Sequence, residues 1–370
     1  MIERRGYPHP LWRVELAGED ITQRLQPRLM QLTLTDNRGM EADQLDITLD
    51  DSDGLLDLPT RKAEIRLALG WEDIGLIDKG SYTVDEVEHS GTPDQLTIRA
   101  RSADLREGIT EKKERSWHKT TVGAIVRKIA AENDLEPAIS PELEAQAVAH
   151  MDQTSESDAN FLTRLADLFD AIAAIKDGHL LFFKIGCAIS ISGQPIAPVF
   201  ITRSTGDRHR FSVADRDACD AVKATYYDTK SGKKGEVVIT IKEWKEEKTN
   251  QTSGKKKETK KEKEKVTHSA NSIKTLRHTY ANRTNALRAA RSALDKSRRG
   301  AATFSLSLAI GRPEIFPEQP AIVSGWKPAI DGADWLIKKV THNLSNSGLL
   351  TDLELELALG NEDEAEEDEA

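Results

Sequence analysis

Two close carboxylates, four histidines and two cysteines are the residues of this chain whose types and spacing invite a chemical reading. Glu156 and Asp158 stand one residue apart, and a glycosidase needs only two carboxyl groups facing each other across a cleft. Ser157 between them reads as a helix N-cap, where an acidic neighbour is stabilised by the helix dipole without any substrate. That cheaper explanation makes them helix-start residues rather than a general acid and base. His118 follows Trp117 and His150 precedes Met151, with no Cys or His partner at ligand spacing, so no metal is assigned. Cys187 and Cys219 lie far apart without a CxxC neighbour, which argues against a zinc site or a disulfide framework and for inert buried thiols. G-x-S-x-G, the P-loop, H-E-x-x-H and G-x-G-x-x-G are all missing. The common handles for hydrolysis, phosphate binding and hydride transfer are therefore absent, and no catalytic residue and no cofactor is expected.

The other two histidines, His89 and His342, belong to a pattern written twice. Gly70 and Trp71 are followed by Tyr82, Val84, Val87 and His89; Gly325 and Trp326 are followed by Trp335, Ile337, Val340 and His342. Each aromatic residue opens the spacing aromatic-x-aliphatic-x-x-Val-x-His. A strand pattern then follows both times, Leu96, Ile98 and Ala100 in one copy and Leu353, Leu355 and Leu357 in the other. The bland reading is a hairpin with an aromatic core residue at each end of the chain. The sharper one is a duplicated β domain, with Trp71, Tyr82, Val87, His89, Trp326, Trp335, Val340 and His342 as its core and both histidines in structural hydrogen-bonding roles. Duplication matters because three such chains present six similar modules, so a threefold object can match a sixfold one.

The elements that position these residues are legible from periodicity. Trp12, Val14 and Leu16, Leu32 and Leu34, Leu45, Ile47 and Leu49, Ile65, Leu67 and Leu69, and Leu96 and Ile98 alternate with polar residues. Turn sequences such as Asp-Ser-Asp-Gly interrupt them, the pattern of antiparallel strands with one solvated face, hence a barrel or a sandwich. From 120 to 133 the period becomes helical, with Thr120 or Thr121 as cap and Val122, Ile125, Val126 and Ile129 on one face. A second helix is expected from Asp158 to Ala174, burying Phe161, Leu162, Leu165, Leu168 and Phe169. Strands return at 178–192 and 221–227, the latter pairing with 236–244. A helix carrying Ala286, Leu287, Ala290 and Leu294 and the strands of the second copy follow.

Composition bounds the function. At 370 residues the chain can hold two or three domains. A formal net charge of -10 argues against general DNA binding through phosphate neutralisation by the whole chain. A mean hydropathy of -0.53 leaves no room for a membrane span. Residues 1–18 lack a continuous apolar block with a cleavage site, so the reading is a protein made in a cytoplasm, without stable membrane association. The stretch 242–265, rich in Lys and Glu, reads as a mobile solvated loop inserted in a hairpin, and 361–370 as an acidic disordered tail.

The run His150-Met-Asp-Gln-Thr-Ser-Glu-Ser-Asp-Ala-Asn-Phe-Leu-Thr-Arg-Leu-Ala166 resembles the phage late control protein D family. This is a family of contractile-tail hub proteins related to the hub portion of type VI secretion spike proteins. Gln153, Glu156, Ser157, Asp158, Phe161, Leu162, Arg164 and Leu165 carry the match. Gly80-Ser-Tyr-Thr-Val-Asp-Glu-Val87, Ser102-Ala-Asp-Leu105, Gly311-Arg-Pro313 and the 335–342 strand support it. The resemblance implies a β-rich α+β chain with two tail-tube-like antiparallel β-barrel domains and an α/β middle domain. The implied limits are 1–107 for the first barrel, 108–205 for the middle domain, and 206–241 with 266–360 for the second barrel and its one helix. It also implies a homotrimeric symmetry adaptor that joins a sixfold tail tube to a threefold membrane-piercing spike. Its barrels would close a channel through strand edges shared between subunits. Implied partners are copies of itself, the tail tube protein, the central spike protein, the baseplate wedge proteins and the tape measure protein, with DNA only as passing cargo. The implied location is the host cytoplasm during assembly and the baseplate of the virion tail afterwards. Two rival readings are a hub-associated muralytic enzyme and a late-gene regulatory DNA-binding protein. Neither a surplus length for a lysozyme domain nor a DNA-reading helix is visible in the sequence.

Overall fold

The computed structural model describes residues 9–102, 107–176, 178–190, 193–213, 219–228, 232–241 and 272–359. The expected loop at 242–265 and the acidic tail at 361–370 lie outside the described residues. The first β module contains β1 (Pro10–Leu16), β2 (Glu19–Asp20), β3 (Leu29–Asn37), β4 (Gln44–Asp50), β5 (Glu64–Trp71), β6 (Gly75–Ser90) and β7 (Gln95–Ser102). Alternation along these strands puts Leu32, Leu34, Leu45, Ile47, Leu67, Leu69 and Leu96 into one buried core, while Thr33, Asp46 and Arg99 hold the opposite face.

The middle domain follows with β8 (Lys112–Thr121), α1 (Val122–Glu132), β9 (Glu136–Ile139), β10 (Ala147–Ser157), α2 (Asp158–Phe169), β11 (Ala171–Lys176) and β12 (His179–Lys184). Both long helices start on a side-chain cap, Thr121 accepting from the Ala124 N–H and Ser157 from the Asn160 N–H. Their apolar stripes meet in one core with Trp117, Leu180 and Phe182. The second helix is shorter than its sequence pattern suggests. Asp170 takes a left-handed conformation at φ 52° and ends it, and residues 171–176 pair as a strand with His179–Lys184. The run Ala-Ile-Ala-Ala-Ile is apolar on every side, so its periodicity does not separate helix from buried strand.

The chain then makes β13 (Val199–Thr202), β14 (Gly206–Val213), β15 (Ala221–Asp228), β16 (Lys233–Thr240), β17 (Ile273–Tyr280), α3 (Arg283–Arg299), β18 (Ala302–Leu308), β19 (Pro320–Ser324), β20 (Trp335–Ser345) and β21 (Gly348–Leu357). Two domain limits differ from the sequence reading. β13, expected in the middle domain, pairs with β19 of the second β module. β15, β16, β17 and α3, expected inside the second barrel, form their own three-stranded sheet and core around Val222, Ile239, Ala290 and Leu294. This unit interrupts the connection from β14 to β18.

With that insertion set aside, the two β modules share one plan. Neighbouring strands run β3-β4-β7-β6-β5-β1 in the first and β14-β18-β21-β20-β19-β13 in the second, and each set has the same order along the chain. They differ at the last strand, where β1 is antiparallel to β5 but β13 is parallel to β19. The modules fuse where β3 pairs with β20, giving a 13-stranded sheet.

Candidate functional site

The repeated residues lie on matching hairpins. In the first, Tyr82 faces Ser102, Val84 faces Ala100, Val87 faces Ile98 and His89 faces Leu96. In the second, Trp335 faces Leu357, Ile337 faces Leu355, Val340 faces Leu353 and His342 faces Thr351. Each hairpin carries a register shift at the same place, between Val84 and Glu86 and between Ile337 and Lys339. One extra residue there restores the inward face, which is why the sequence spacing lengthens from two residues to three. Trp71 ends the strand that enters the first hairpin, and Trp326 follows the one that enters the second. Trp71 is buried and donates its indole N–H to the Gly311 carbonyl of the other module at 2.7 Å. Trp326 is half-buried, with its ring edge-on to Phe304 at 5.3 Å.

Equivalent positions are not equally covered. His342 is 0% exposed, whereas the His89 side chain is 45% exposed and sits 3.2 Å from Asp51. Val340 is buried and Val87 half-buried. The cause is the neighbour on the outer edge. β3 pairs with β20 from Lys339 to Ser345, while β5 and the residues before it reach along β6 only as far as Val84. His89 is thus removed from the core set expected for it.

The β3–β20 seam is a joint of core quality. Leu34 faces His342 and Leu32 faces Leu344; Leu344 and Leu349 of the second module complete the apolar core of the first. On the polar side the Thr33 hydroxyl donates to the Asn343 side-chain oxygen at 3.0 Å. His342 meets the Thr351 hydroxyl at 2.9 Å, and burial, with the Lys79 charge second, pushes its pKa down to about 3. An unfolded imidazole titrates near 6.5, so below that pH the unfolded chain binds a proton that the folded chain refuses. Stability is full above about 6.5 and falls as the pH drops toward 3. Between pH 7 and 5 the loss from this residue is about 2 kcal/mol. Urea midpoints of the wild type and His342→Gln should therefore converge as the pH falls. Asp43, raised to about 6 by burial and by Asp36, gives the opposite slope and cancels in that comparison. Parallel curves would remove His342 as a source of acid sensitivity.

Charged clasps lock the modules together. Arg38 bridges Glu318 and Glu356, each at 2.5 Å. Arg299 binds Asp170 of the middle domain at 2.5 Å and lies 3.5 Å from Glu356. Lys176 pairs with Asp36 at 3.2 Å and also with Asp43; Asp36 and Asp43 outweigh the burial that would otherwise lower its pKa. Of these groups Asp36, Arg38, Asp43, Lys176 and Glu318 line a cavity of about 840 Å³ between the three parts, together with Lys79, Tyr82 and Cys187.

The motif helix is a second clasp. Asp158 is fully buried at the start of α2 and accepts from Lys113 at 2.7 Å, from Arg115, and from the Gln153 amide at 2.8 Å. Glu156 points elsewhere and pairs with Arg164 at 2.6 Å, and the Arg164 guanidinium covers the Phe161 ring at 5.2 Å. Phe161, Leu162 and Leu165 are 0% exposed. Every motif residue thus has a packing or pairing task, and the two carboxylates are held apart by different cations rather than facing a common cleft. Sequence spacing missed one pair: β8 and β10 set His150 opposite His118, with stacked rings at 4.4 Å and Asp152 3.0 Å from His150. Neither strand carries a clean apolar period, so the pairing leaves no signal in the sequence. Among the described residues no group of three His, Cys, Asp or Glu side chains gathers at metal-binding distance, and no helix is long and apolar enough to cross a membrane.

Comparison with known proteins places this geometry. The description "phage tail baseplate hub (GPD)" matches residues 27–348. A probable baseplate hub protein of Escherichia phage 186 is 46% identical over 363 residues, covering 95% of this chain and 93% of that protein. The fold is similar to that of a tail protein from Neisseria meningitidis, with a TM-score of 0.64 at 14% identity over 94% of this chain and 96% of the other. A component of the Escherichia coli type VI secretion system is similar at a TM-score of 0.51 and 13% identity, over 90% of this chain and 74% of the other.

Proposed function

Because this chain belongs to the phage tail baseplate hub family, as a structural component of the tail baseplate, we propose that three copies close a ring that adapts a sixfold tail tube to a threefold spike. The observation that carries this reading is the pair of β modules with one strand order and one hairpin register, fused along β3 and β20. Two modules per chain and three chains per ring give six quasi-equivalent modules on the tube side. The middle domain and the inserted β15–α3 unit occur once per chain, which leaves the other side threefold.

The polar face of the shared sheet suits the wall of a channel. Thr33, Thr35, Asp46, Thr341, Asn343 and Ser305 lie on that face, opposite the buried residues of the same strands. The cations on this face stand among carboxylates, Arg99 opposite Asp46 and Arg210 in line with Ser305 and Glu354, so it does not present the unbalanced positive charge that grips phosphates, and DNA would pass as cargo. The role is mechanical: the clasps through Arg38, Arg299 and Lys176 stiffen a joint that must bear load when the tail contracts. Assembly in the host cytoplasm would bring in the tail tube protein at the six-lobed face and the central spike protein at the other. Baseplate wedge proteins would surround the ring, and the tape measure protein would occupy its bore. Electron microscopy of the purified protein, averaged down its symmetry axis, should show a threefold ring with six similar lobes around a channel. Particles of another symmetry would overturn the adaptor.

A further inference from the structure

The fused sheet ends on two unlike edges. At one end, β14 pairs with β18 and, among the described residues, with no strand on its other side. Near the other end, the half of β6 beyond Val84 pairs with β7 and, among the described residues, leaves its outer edge open. Unpaired edges of this kind are templates for another strand. The module plan says which strand fits. β6 is the counterpart of β20, and β14 is the counterpart of β3, because β3-β4-β7-β6 repeats as β14-β18-β21-β20. Within the chain β3 and β20 are joined; their counterparts, β14 and β6, both lack that joint.

We infer that the β14 edge of one chain pairs antiparallel with residues 87–90 of β6 in the next, with His89 opposite Phe211. The register follows from the internal seam. His342 faces Leu34 across it. Leu34 reaches the second hairpin's counterpart positions through Leu45 and Ala100, as Phe211 does through Phe304 and Leu355. Leu34 and Phe211 are therefore equivalent, as are His342 and His89. The same register sets Ser90 against Arg210, Glu88 against Ser212 and Val87 against Val213.

The two edges are complementary in chemistry as well as in shape. Arg208, His209 and Arg210 make β14 basic and exposed. Asp85, Glu86 and Glu88 make the β6 end acidic, and Arg99 and Arg101 of β7 balance it only in part. Val213 is 64% exposed and meets Val87, whose outer side is uncovered. Pairing would also bury His89 in the environment that His342 already has. A single chain cannot make this joint with itself, since its two edges lie at opposite ends of the sheet; three chains joined head to tail have no such edge left over.

This inference rests on the ring reading of the previous section, and the test separates the two. Ser90→Cys and Arg210→Cys, combined in one chain and oxidised, should give disulfide-linked dimers and trimers on a non-reducing gel, because directly opposed strand residues lie within disulfide reach. Each single variant and the out-of-register pair Ser90→Cys with Ser212→Cys should link at least tenfold less. Native mass measured alongside fixes the oligomeric state, and Arg210→Glu should shift trimer toward monomer, with Glu88→Arg in the same chain restoring it. A trimer that never links in register overturns the seam and leaves the ring. A chain that stays monomeric at every concentration overturns both as self-sufficient contacts.

Discussion

Replacing Trp335 with alanine is expected to destabilise the second β module by about 3–5 kcal/mol, the range for deleting a fully buried aromatic side chain. The ring is 1% exposed. Its indole N–H donates to the Ile330 carbonyl at 2.9 Å, and its faces and edges meet Phe304 at 5.5 Å and Phe211 at 6.2 Å. Phe304 belongs to β18 and Phe211 to β14, so one side chain ties the hairpin to the two strands that end in the open edge. A void there cannot be filled by neighbours already fixed in sheet ladders. The described residues form four separate cores, so the loss should be read locally, as faster amide exchange across β18, β20 and β21, as well as from the urea midpoint. Trp326→Ala, at the half-buried counterpart of Trp71, should cost less than half as much. If Trp335→Ala shifted stability by less than 1 kcal/mol, the ring would not be the anchor described.

A loss of similar size, about 3–5 kcal/mol, is expected for Asp158→Ala, through a different mechanism. The carboxylate is buried; burial alone would raise its pKa, but the Gln153 amide and the Lys113 and Arg115 charges outweigh it and hold the pKa below the usual carboxylate range. Removing it leaves Lys113 and Arg115 facing each other's charge with only Glu132 to share, at 3.2 and 2.6 Å. Arg115 also covers the Trp117 ring at 4.7 Å, so a displaced guanidinium disturbs the core beneath. Asp158→Asn keeps the shape and should cost less. Adding Arg115→Leu to Asp158→Ala should recover part of the loss, a non-additivity that a double-mutant cycle of urea midpoints measures directly. Strict additivity would mean that the two groups do not work as a unit. Because the folded pKa lies below the unfolded value near 3.9, the clasp is intact at neutral pH and weakens as the pH falls below about 4.

Much of this was legible beforehand, and the reasons can be named. Leu32 and Leu34, Leu45, Ile47 and Leu49, and Leu96 and Ile98 alternate so regularly that their strands stand out in one dimension, and the duplication stands out as one spacing written twice. Ser157 announced a helix start through its side chain, and Phe161, Leu162 and Leu165 announced the buried stripe. The misreadings share a cause. Residues 171–176 and 112–121 lack a clean period, because the first run is buried all round and the second alternates charge with charge. His118 and His150 meet only because two such strands pair. Asp158 has the right residue type for a helix start, but local sequence gives no sign that it is buried against Lys113 and Arg115.

By itself the sequence determined the periodic elements, the doubled module and the family, because each is written in residue types at short, regular spacing. The tertiary structure decided which copy of a repeated residue is buried. His342 and His89 occupy the same place in the same motif, yet one lies beneath β3 and the other at an open edge. That difference comes from pairing between strands some 300 residues apart in sequence, as between Thr33 and Asn343 at a separation of 310, and no local period records which edge a distant strand will cover.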